Sequence, residues 1–178
     1  MSNCVHLNLD FYPLKNSSIL ELIKPHIHTK IEQSDLNADL VNFLKDKNIY
    51  IYNIQTFSFA PHFVQPIHID GNGGNIAKIN FLFGGAGSLM QWYREKPNMP
   101  HIFKKTPAGT LFQDFSHEQV ELLESHTLKF PSLVQVGIPH HIINKDQHLI
   151  CISILLADVN SNLVSVDEVK LKLEQFIE

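Results

Sequence analysis

The hydrophobic positions follow a helical period at the start of the chain and the period of β-strands after it. In residues 17–48, apolar side chains recur at spacings of three and four after Ser17 and again after Ser34, which predicts one or two helices. From Ile49 onward, short stretches rich in β-branched and aromatic residues are separated by Gly, Pro or Asn, which predicts strands. The predicted strands cover residues 49–60, 63–70, 76–83, 88–93, 109–114, 120–128, 132–138 and 149–156.

The number and shortness of these strands favour a sandwich or jelly roll. At the end of the chain, Ser165 and Glu168 form a capping box ahead of an apolar stripe, which predicts a helix lying on the sheet. The proline-containing residues 97–107 are predicted to form a long loop. We therefore predict one domain of the mainly β (α+β) class, with a helical region over 1–48, a double-stranded β-helix or jelly-roll core over 49–157 and a C-terminal helix over 165–178.

Composition and charge narrow the classes of function. A chain of 178 residues with 44% hydrophobic and 18% charged residues has the length and composition of one ordinary globular domain. Its formal net charge of -4 gives no reason to expect a nucleic-acid partner. No apolar run approaches the roughly 18 residues that span a bilayer, so no membrane partner is expected. Residues 1–4 lack the basic and apolar regions of a signal peptide, so we expect a cytoplasmic protein.

Histidine is unusually frequent, with eleven residues against fourteen lysines and arginines together. This abundance does not by itself predict a metal site, because most of these side chains must be structural or lie at the surface. Whether a histidine belongs to a metal site must therefore be judged from its position in the chain. The two cysteines, Cys4 and Cys151, are expected to be free thiols, since Cys151 lies in an apolar run where a small buried side chain fits.

Three residues have the spacing of a metal site. His68 and Asp70 are two residues apart in a predicted strand, so both side chains point to the same face. His140 follows the strand predicted over 132–138 and continues the face of its alternate apolar residues, which places it at the same end of the barrel. Two histidines and one carboxylate on one face of a metal form the facial triad of non-haem Fe(II) sites.

Other nearby features are predicted to be structural. By strand parity, His141 points to the face opposite His140. His26 and His28 share the spacing of His68 and Asp70, but the pattern suggests no third ligand for them. The glycine-rich segment 71–75 follows a strand without leading into a helix, so we expect a loop at the barrel mouth and no phosphate site.

Two blocks of the chain carry a family resemblance. The first contains His68-Ile69-Asp70-Gly71, Ile79-Asn80-Phe81, the turn Gly84-Gly85-Ala86-Gly87 and Gln91-Trp92-Tyr93. The second contains Pro131-Ser132-Leu133-Val134, Ile138-Pro139-His140, Asn144 and Ile152-Ser153-Ile154. Together they resemble the Fe(II)/2-oxoglutarate-dependent dioxygenase-like proteins of the prolyl and aspartyl hydroxylase kind, over residues 55–157.

The resemblance implies a non-haem Fe(II) oxidoreductase with a double-stranded β-helix fold. Fe(II) would be held by His68, Asp70 and His140. The cosubstrate 2-oxoglutarate would support hydroxylation of a small molecule or a peptide side chain. Trp92 and Tyr93 are expected to line the substrate pocket.

The chain departs from the family where the distal carboxylate of 2-oxoglutarate is normally bound. A buried carboxylate needs a charged partner, and the family supplies Arg or Lys about eight to eleven residues after the second histidine. These positions are 148–151 here, and no Lys or Arg occurs from 146 to 169.

Three explanations remain open. His148 would hold the carboxylate as an imidazolium. Alternatively, the base comes from another strand, either as Arg94, the only arginine, or as Lys78, which shares a strand face with Asn80 in the cosubstrate site. In the third explanation the chain uses no 2-oxoglutarate, and the site binds a metal with another ligand or for another oxidative chemistry. The alternative function is a non-catalytic, cupin-like metal- or ligand-binding protein that has lost the 2-oxoglutarate clamp.

Overall fold

The computed structural model describes residues 2–23, 29–70, 73–98, 102–105 and 111–178, and their strands form two antiparallel sheets. The strands are β1 (Cys4–His6), β2 (Tyr50–Phe59), β3 (Ile67–Asp70), β4 (Ala77–Gly84), β5 (Leu89–Glu95), β6 (Ile102–Lys105), β7 (Leu111–Phe115), β8 (Val120–Thr127), β9 (Ser132–Gln135), β10 (His140–Ile143) and β11 (Leu149–Ala157). The helices are α1 (Ser18–Leu22), α2 (Ala38–Asp46) and α3 (Val166–Lys172), with short 3-10 helices at Gln33–Asp35, His117–Gln119 and Glu174–Phe176. None of the helices in these ranges is long and apolar enough to cross a membrane.

The order of the strands is that of a jelly roll. The first sheet has the order β1-β9-β4-β11-β2 and the second has the order β6-β7-β3-β10-β5-β8. From β2 to β5 and from β8 to β11, consecutive strands alternate between the sheets, so the two layers wrap around a common interior. The structure therefore confirms the predicted fold.

A hairpin interrupts this alternation between β5 and β8. Strands β6 and β7 pair with each other and extend the second sheet beyond β3. The prediction of a loop over 97–107 was therefore wrong for Ile102–Lys105, because four residues between prolines are too few to show a strand period. Residues 99–101 and 106–110, with His101 among them, lie outside the described residues.

Two other short strands, β1 and β10, were not predicted for the same reason. The predicted helices are present at both ends of the chain. Asn37 caps α2 by accepting a hydrogen bond from the backbone N–H of Asp39 (2.9 Å). Ser165 caps α3 by accepting one from the N–H of Glu168 (3.1 Å).

The outer face of the first sheet packs against the helices. Leu40 and Leu44 of α2 and Val169 of α3 are almost fully buried in a cluster with Phe81 and Ile152. A second cluster lies between the two sheets and includes Leu82, Met90, Trp92, Ile142 and Cys151. Both cysteines are buried free thiols, as predicted.

Alternation in β4 directs polar side chains into the space between the sheets. Ile79 and Phe81 belong to the cluster beneath the helices, so Lys78, Asn80 and Leu82 point towards the second sheet. Lys78 and Asn80 are each only 4% exposed. Because buried polar groups need hydrogen-bond partners, these two side chains must find theirs inside the barrel.

Candidate metal centre

Strand β3 presents His68 and Asp70 to the interior. Ile67 and Ile69 pack in a separate apolar cluster on the outer face of the second sheet, and the residues between and after them alternate to the opposite side. His68 is 9% exposed. The strand therefore brings both side chains to one face, as strand parity predicts.

His140 faces the same interior as His68 and Asp70, but it is positioned by a strand that was not predicted from the sequence. It does not continue β9, because the chain changes sheets after Gln135 and His140 is the first residue of β10. There it lies opposite His68 in the antiparallel register. Residues opposite each other in such a pair share a face, so the two imidazoles become neighbours with ring centroids 4.5 Å apart.

His141 has its own partners on the outer face. Its Nε2 lies 3.0 Å from the hydroxyl of Tyr93 and 2.9 Å from Oε1 of Gln91. This placement leaves His140 as the histidine of β10 that faces the interior. His26 and His28, predicted to be structural, lie outside the described residues.

The three side chains form a site whose ligand atoms lie within 4.8 Å of one another. His68 donates its Nδ1–H to the carbonyl of Pro66 (2.8 Å), and His140 donates its Nδ1–H to the carbonyl of Ile138 (2.8 Å). A carbonyl only accepts, so both rings carry the lone pair on Nε2. Such outer hydrogen bonds orient metal-binding histidines, and this donor set therefore fits a divalent transition metal.

Electrostatics also keep two of the three candidate ligands, Asp70 and His140, unprotonated at neutral pH. Burial alone would raise the pKa of Asp70, but the Lys78 ammonium outweighs it and holds that pKa well below its usual range. Burial, assisted by the neighbouring His68, lowers the pKa of His140 to about 3. Metal binding therefore requires no deprotonation of these two groups.

Lys78 is the basic side chain beside the triad. Its Nζ donates to Oδ2 of Asp70 (2.6 Å) and to Oε1 of Gln55 (2.7 Å). The same ammonium lies 5.9 Å from the centre of the Phe57 ring. Of the basic residues considered from the sequence, Lys78 is the one that the structure brings to the candidate metal ligands.

A cavity of about 30 Å³ separates the triad from the first sheet. It is lined by Phe57, Phe59, Gln65, His68, Asp70, Lys78, Asn80, Met90, Val136, His140, Ile142, Cys151 and Ser153. This volume accommodates an ion with one or two waters, whereas pockets for larger ligands usually exceed about 300 Å³. The described interior is therefore narrow in this conformation.

Two predicted cosubstrate residues lie elsewhere. His148 precedes Leu149, which packs between the sheets, and its Nε2 lies 2.8 Å from the hydroxyl of Ser58. Arg94 is exposed near the end of β5. Neither lines the cavity, so the structure does not bring either of them to the candidate metal ligands. Asn80 does line it, and its Oδ1 accepts a hydrogen bond from Ser153 (2.7 Å).

The predicted aromatic pocket residues do not line the cavity either. Trp92 has no exposed surface, and its indole N–H donates to the carbonyl of Gln135 (2.7 Å). Tyr93 packs with Ile67 and Ile69 on the outer face of the second sheet. One of these adjacent residues is therefore core and the other faces away from the candidate metal ligands, so neither lines this cavity.

Two polar residues near the triad were missed in the sequence. Gln65 precedes β3 and lines the cavity, while Gln55 holds Lys78 from β2. Strand β2 mixes polar and apolar residues on both faces, so its alternation did not single out Gln55. Neither residue stands in a recognisable motif.

Acidification is expected to destabilise the metal-free protein. A histidine in the unfolded chain has a pKa of about 6.5 and is protonated below that pH. In the folded protein His140 has a pKa of about 3, so its imidazole stays neutral over the same pH range. The free energy of unfolding should therefore fall by up to about 4 kcal/mol as the pH decreases from about 6.5 to about 3. Urea denaturation in chelator across this range measures the effect.

His140→Gln should remove most of this pH dependence. His62→Gln is the control, because the His62 side chain is 76% exposed. Equal slopes for the wild type and His140→Gln would contradict the assignment of the effect to His140.

No protein-family model and no curated protein sequence matches this chain. Among solved structures, an oxalate oxidase in complex with the substrate analogue glycolate is 15% identical over 67% of this chain, with a TM-score of 0.32. The dTDP-4-dehydrorhamnose 3,5-epimerase from Elizabethkingia anophelis is 9% identical over 79% of this chain, also with a TM-score of 0.32.

The aligned regions cover 46% of the oxalate oxidase chain and 69% of the epimerase chain. This chain thus matches about half the length of the oxalate oxidase. Likeness at this level carries no information on activity, and the fold assignment rests on the strand order of the two sheets. The fold and the site together define a jelly-roll protein with three side chains placed to hold a metal ion.

Proposed function

We propose that this protein is a non-haem Fe(II) oxygenase that uses 2-oxoglutarate to hydroxylate a small molecule or a peptide side chain. The observation that carries the proposal is the triad of His68, Asp70 and His140, with two Nε2 lone pairs and a carboxylate inside a jelly roll. Two histidines and one carboxylate that leave open positions are the ligand set typical of Fe(II) oxygenases.

The charge partner of Asp70 supports this ligand set. Oδ2 of Asp70 is bound by Lys78, whereas Oδ1 lies 3.5 Å from Nε2 of His68. The carboxylate therefore has one oxygen on the side of the histidines and one held by the ammonium. Such a hydrogen bond from the surrounding protein orients a ligating carboxylate.

Lys78 and Asn80 supply a site for an anionic cosubstrate. Lys78 is a buried cation on the wall that faces the triad. Asn80 lines the same wall, and its Oδ1 accepts a hydrogen bond from Ser153. A buried carboxylate requires a charged donor of this kind, and Lys78 would bind the distal carboxylate of 2-oxoglutarate.

The bound metal and cosubstrate would supply the oxidising chemistry, in which O2 is consumed, 2-oxoglutarate is converted to succinate and CO2, and the second oxygen atom of O2 hydroxylates a C–H bond. The protein would contribute the three ligands, the paired ammonium and the apolar walls. Phe57, Met90 and Ile142 would exclude water around the reacting groups.

A second candidate function is a non-catalytic, cupin-like metal-binding protein. Two observations favour it, the cavity of about 30 Å³ and the Lys78–Asp70 ion pair. A bound cosubstrate would have to widen this cavity and compete with Asp70 for the Lys78 ammonium. In this case the triad binds a metal, but Lys78 only balances the charge of Asp70.

An anaerobic titration with Fe(II) and then 2-oxoglutarate tests the proposal. The wild type should bind Fe(II) and develop a visible charge-transfer band when 2-oxoglutarate is added. Lys78→Met should still bind Fe(II), although more weakly because Asp70 loses its orienting hydrogen bond. It should weaken 2-oxoglutarate binding to the iron-loaded protein by at least about thirtyfold, because the buried carboxylate loses its cation. Lys78→Arg should weaken it less, since the charge is retained.

Lys145→Met is the matched control, because Lys145 is exposed. Fe(II) binding by the wild type with no band on addition of 2-oxoglutarate would favour the non-catalytic candidate. The absence of Fe(II) binding would reject both functions.

A further inference from the structure

The inserted hairpin places a charged pair beside the metal-ligand strand. In the antiparallel register, Asp114 of β7 lies opposite His68 and Phe112 lies opposite Asp70. Lys104 of β6 lies opposite Phe112. Opposite residues share a face, so Phe112, Asp114 and Lys104 stand on the same side of the sheet as the triad. The Phe112 ring contacts His68 edge-on, with centroids 6.2 Å apart.

The members of this pair differ in their exposure to solvent. Lys104 donates a hydrogen bond from Nζ to Oδ2 of Asp114. The Asp114 side chain is 18% exposed, whereas that of Lys104 is 54% exposed and belongs to the edge strand of the sheet. An ion pair with a solvent-exposed lysine contributes little to stability, so moving the Lys104 ammonium into water costs little free energy. The less exposed carboxylate of Asp114 still needs a cation.

We propose that Asp114 binds a primary ammonium group of the substrate, which displaces Lys104 next to the metal centre. Lys104 resembles such a ligand, because its side chain donates from an alkylammonium group to the same carboxylate. Phe112 would pack against the alkyl chain beside the bound ammonium and orient it towards His68. The substrate class is therefore an amine with an alkyl chain, either free or as a lysine-like side chain. This inference rests on the proposed function for its catalytic meaning, but amine binding itself requires no turnover.

Calorimetric titration of the full chain with L-lysine tests this site, with and without Fe(II) in the absence of oxygen. L-norleucine, which has the same kind of alkyl chain without the terminal ammonium, is the matched probe. Both amino acids are used with the α-amino group acetylated and the α-carboxyl group amidated, so that the terminal ammonium of lysine is the only one present. L-lysine should bind and L-norleucine should not. Asp114→Asn should weaken L-lysine binding at least about tenfold, because the ammonium loses its charged acceptor. Lys104→Met should strengthen it about threefold, because the competing cation is removed.

The opposite signs of the two variants distinguish recognition from a structural role of the ion pair. Lys129→Met, at an exposed position, should leave L-lysine binding unchanged. If Asp114→Asn does not fold, Lys104→Met decides the question alone. Equal binding of the two probes, or an unchanged or weaker affinity in Lys104→Met, would overturn the proposal. Because the titration is also run without metal, loss of the Fe(II) function and loss of amine binding are separate results.

Discussion

Asp70→Asn is expected to abolish Fe(II) binding and to lower the free energy of unfolding of the metal-free protein by about 3–5 kcal/mol. The side chain of Lys78 is 5% exposed, and its ammonium is paired with Asp70 at 2.6 Å. Asparagine has nearly the same shape but no charge, so the buried ammonium would lose its counterion while its desolvation cost remains. The loss of metal binding follows from the loss of the anionic ligand.

Urea denaturation and equilibrium dialysis with Fe(II) measure the two effects. Asp146→Asn is the control, because the Asp146 side chain is 87% exposed. The double variant Asp70→Asn/Lys78→Met should recover part of the stability but none of the Fe(II) binding, because it removes the unpaired charge without restoring the ligand. A single variant as stable as the wild type would show that Lys78 does not depend on Asp70.

Gly137→Ala is expected to lower the free energy of unfolding by about 3 kcal/mol and to weaken metal binding as well. A Cβ atom on Gly137 would lie 1.6 Å from the carbonyl oxygen of Gly74 and 2.5 Å from its carbonyl carbon. The obstacle is backbone, which cannot rotate away. The backbone N–H of Gly74 also donates to the carbonyl of Gly137 (3.0 Å), so the two segments would have to separate.

Separating these two segments would also displace the candidate metal ligands. The N–H of Asp70 donates to the carbonyl of Val136 (3.1 Å), next to the substituted residue. Displacing residues 136–137 would therefore move Asp70 relative to His140. Denaturation and Fe(II) titration of the same variant measure both consequences.

Gly74→Ala is the comparison variant, because it tests a glycine with an unusual backbone conformation but with free space for a Cβ atom. A Cβ atom on Gly74 has no neighbour within 4 Å, but the residue has a φ of +109°. Its substitution should cost only about 1–2 kcal/mol, the usual penalty of a left-handed conformation. A cost for Gly137→Ala no larger than this would contradict the close approach of the two backbones.

The glycine-rich segment illustrates how far the sequence could be read. A loop after Asp70 was predicted from its composition, and its residues 71–72 lie outside the described residues. The contact of Gly74 with Gly137 joins positions far apart in the chain. No local pattern around either glycine indicates that their backbones meet, because the contact depends on how the sheets are stacked.

The same distinction applies to the choice of His140. The prediction extended the parity of β9 through Pro139, although the chain leaves the first sheet before that point. His140 nevertheless faces the interior, because β10 starts opposite His68 in the other sheet. The residue was identified from the sequence, while its position depends on strand pairing that the prediction did not include.

The sequence by itself determined the jelly-roll class, the flanking helices and the shared face of His68 and Asp70, because alternation and capping are local properties of the chain. Only the tertiary structure decided that Lys78 is the cation beside Asp70, while His148 and Arg94 lie elsewhere. Parity assigns a side chain to one face of its strand, but it does not specify which strand lies across the barrel. That depends on the pairing and stacking of both sheets, and it is this pairing that turns separated polar residues into one site.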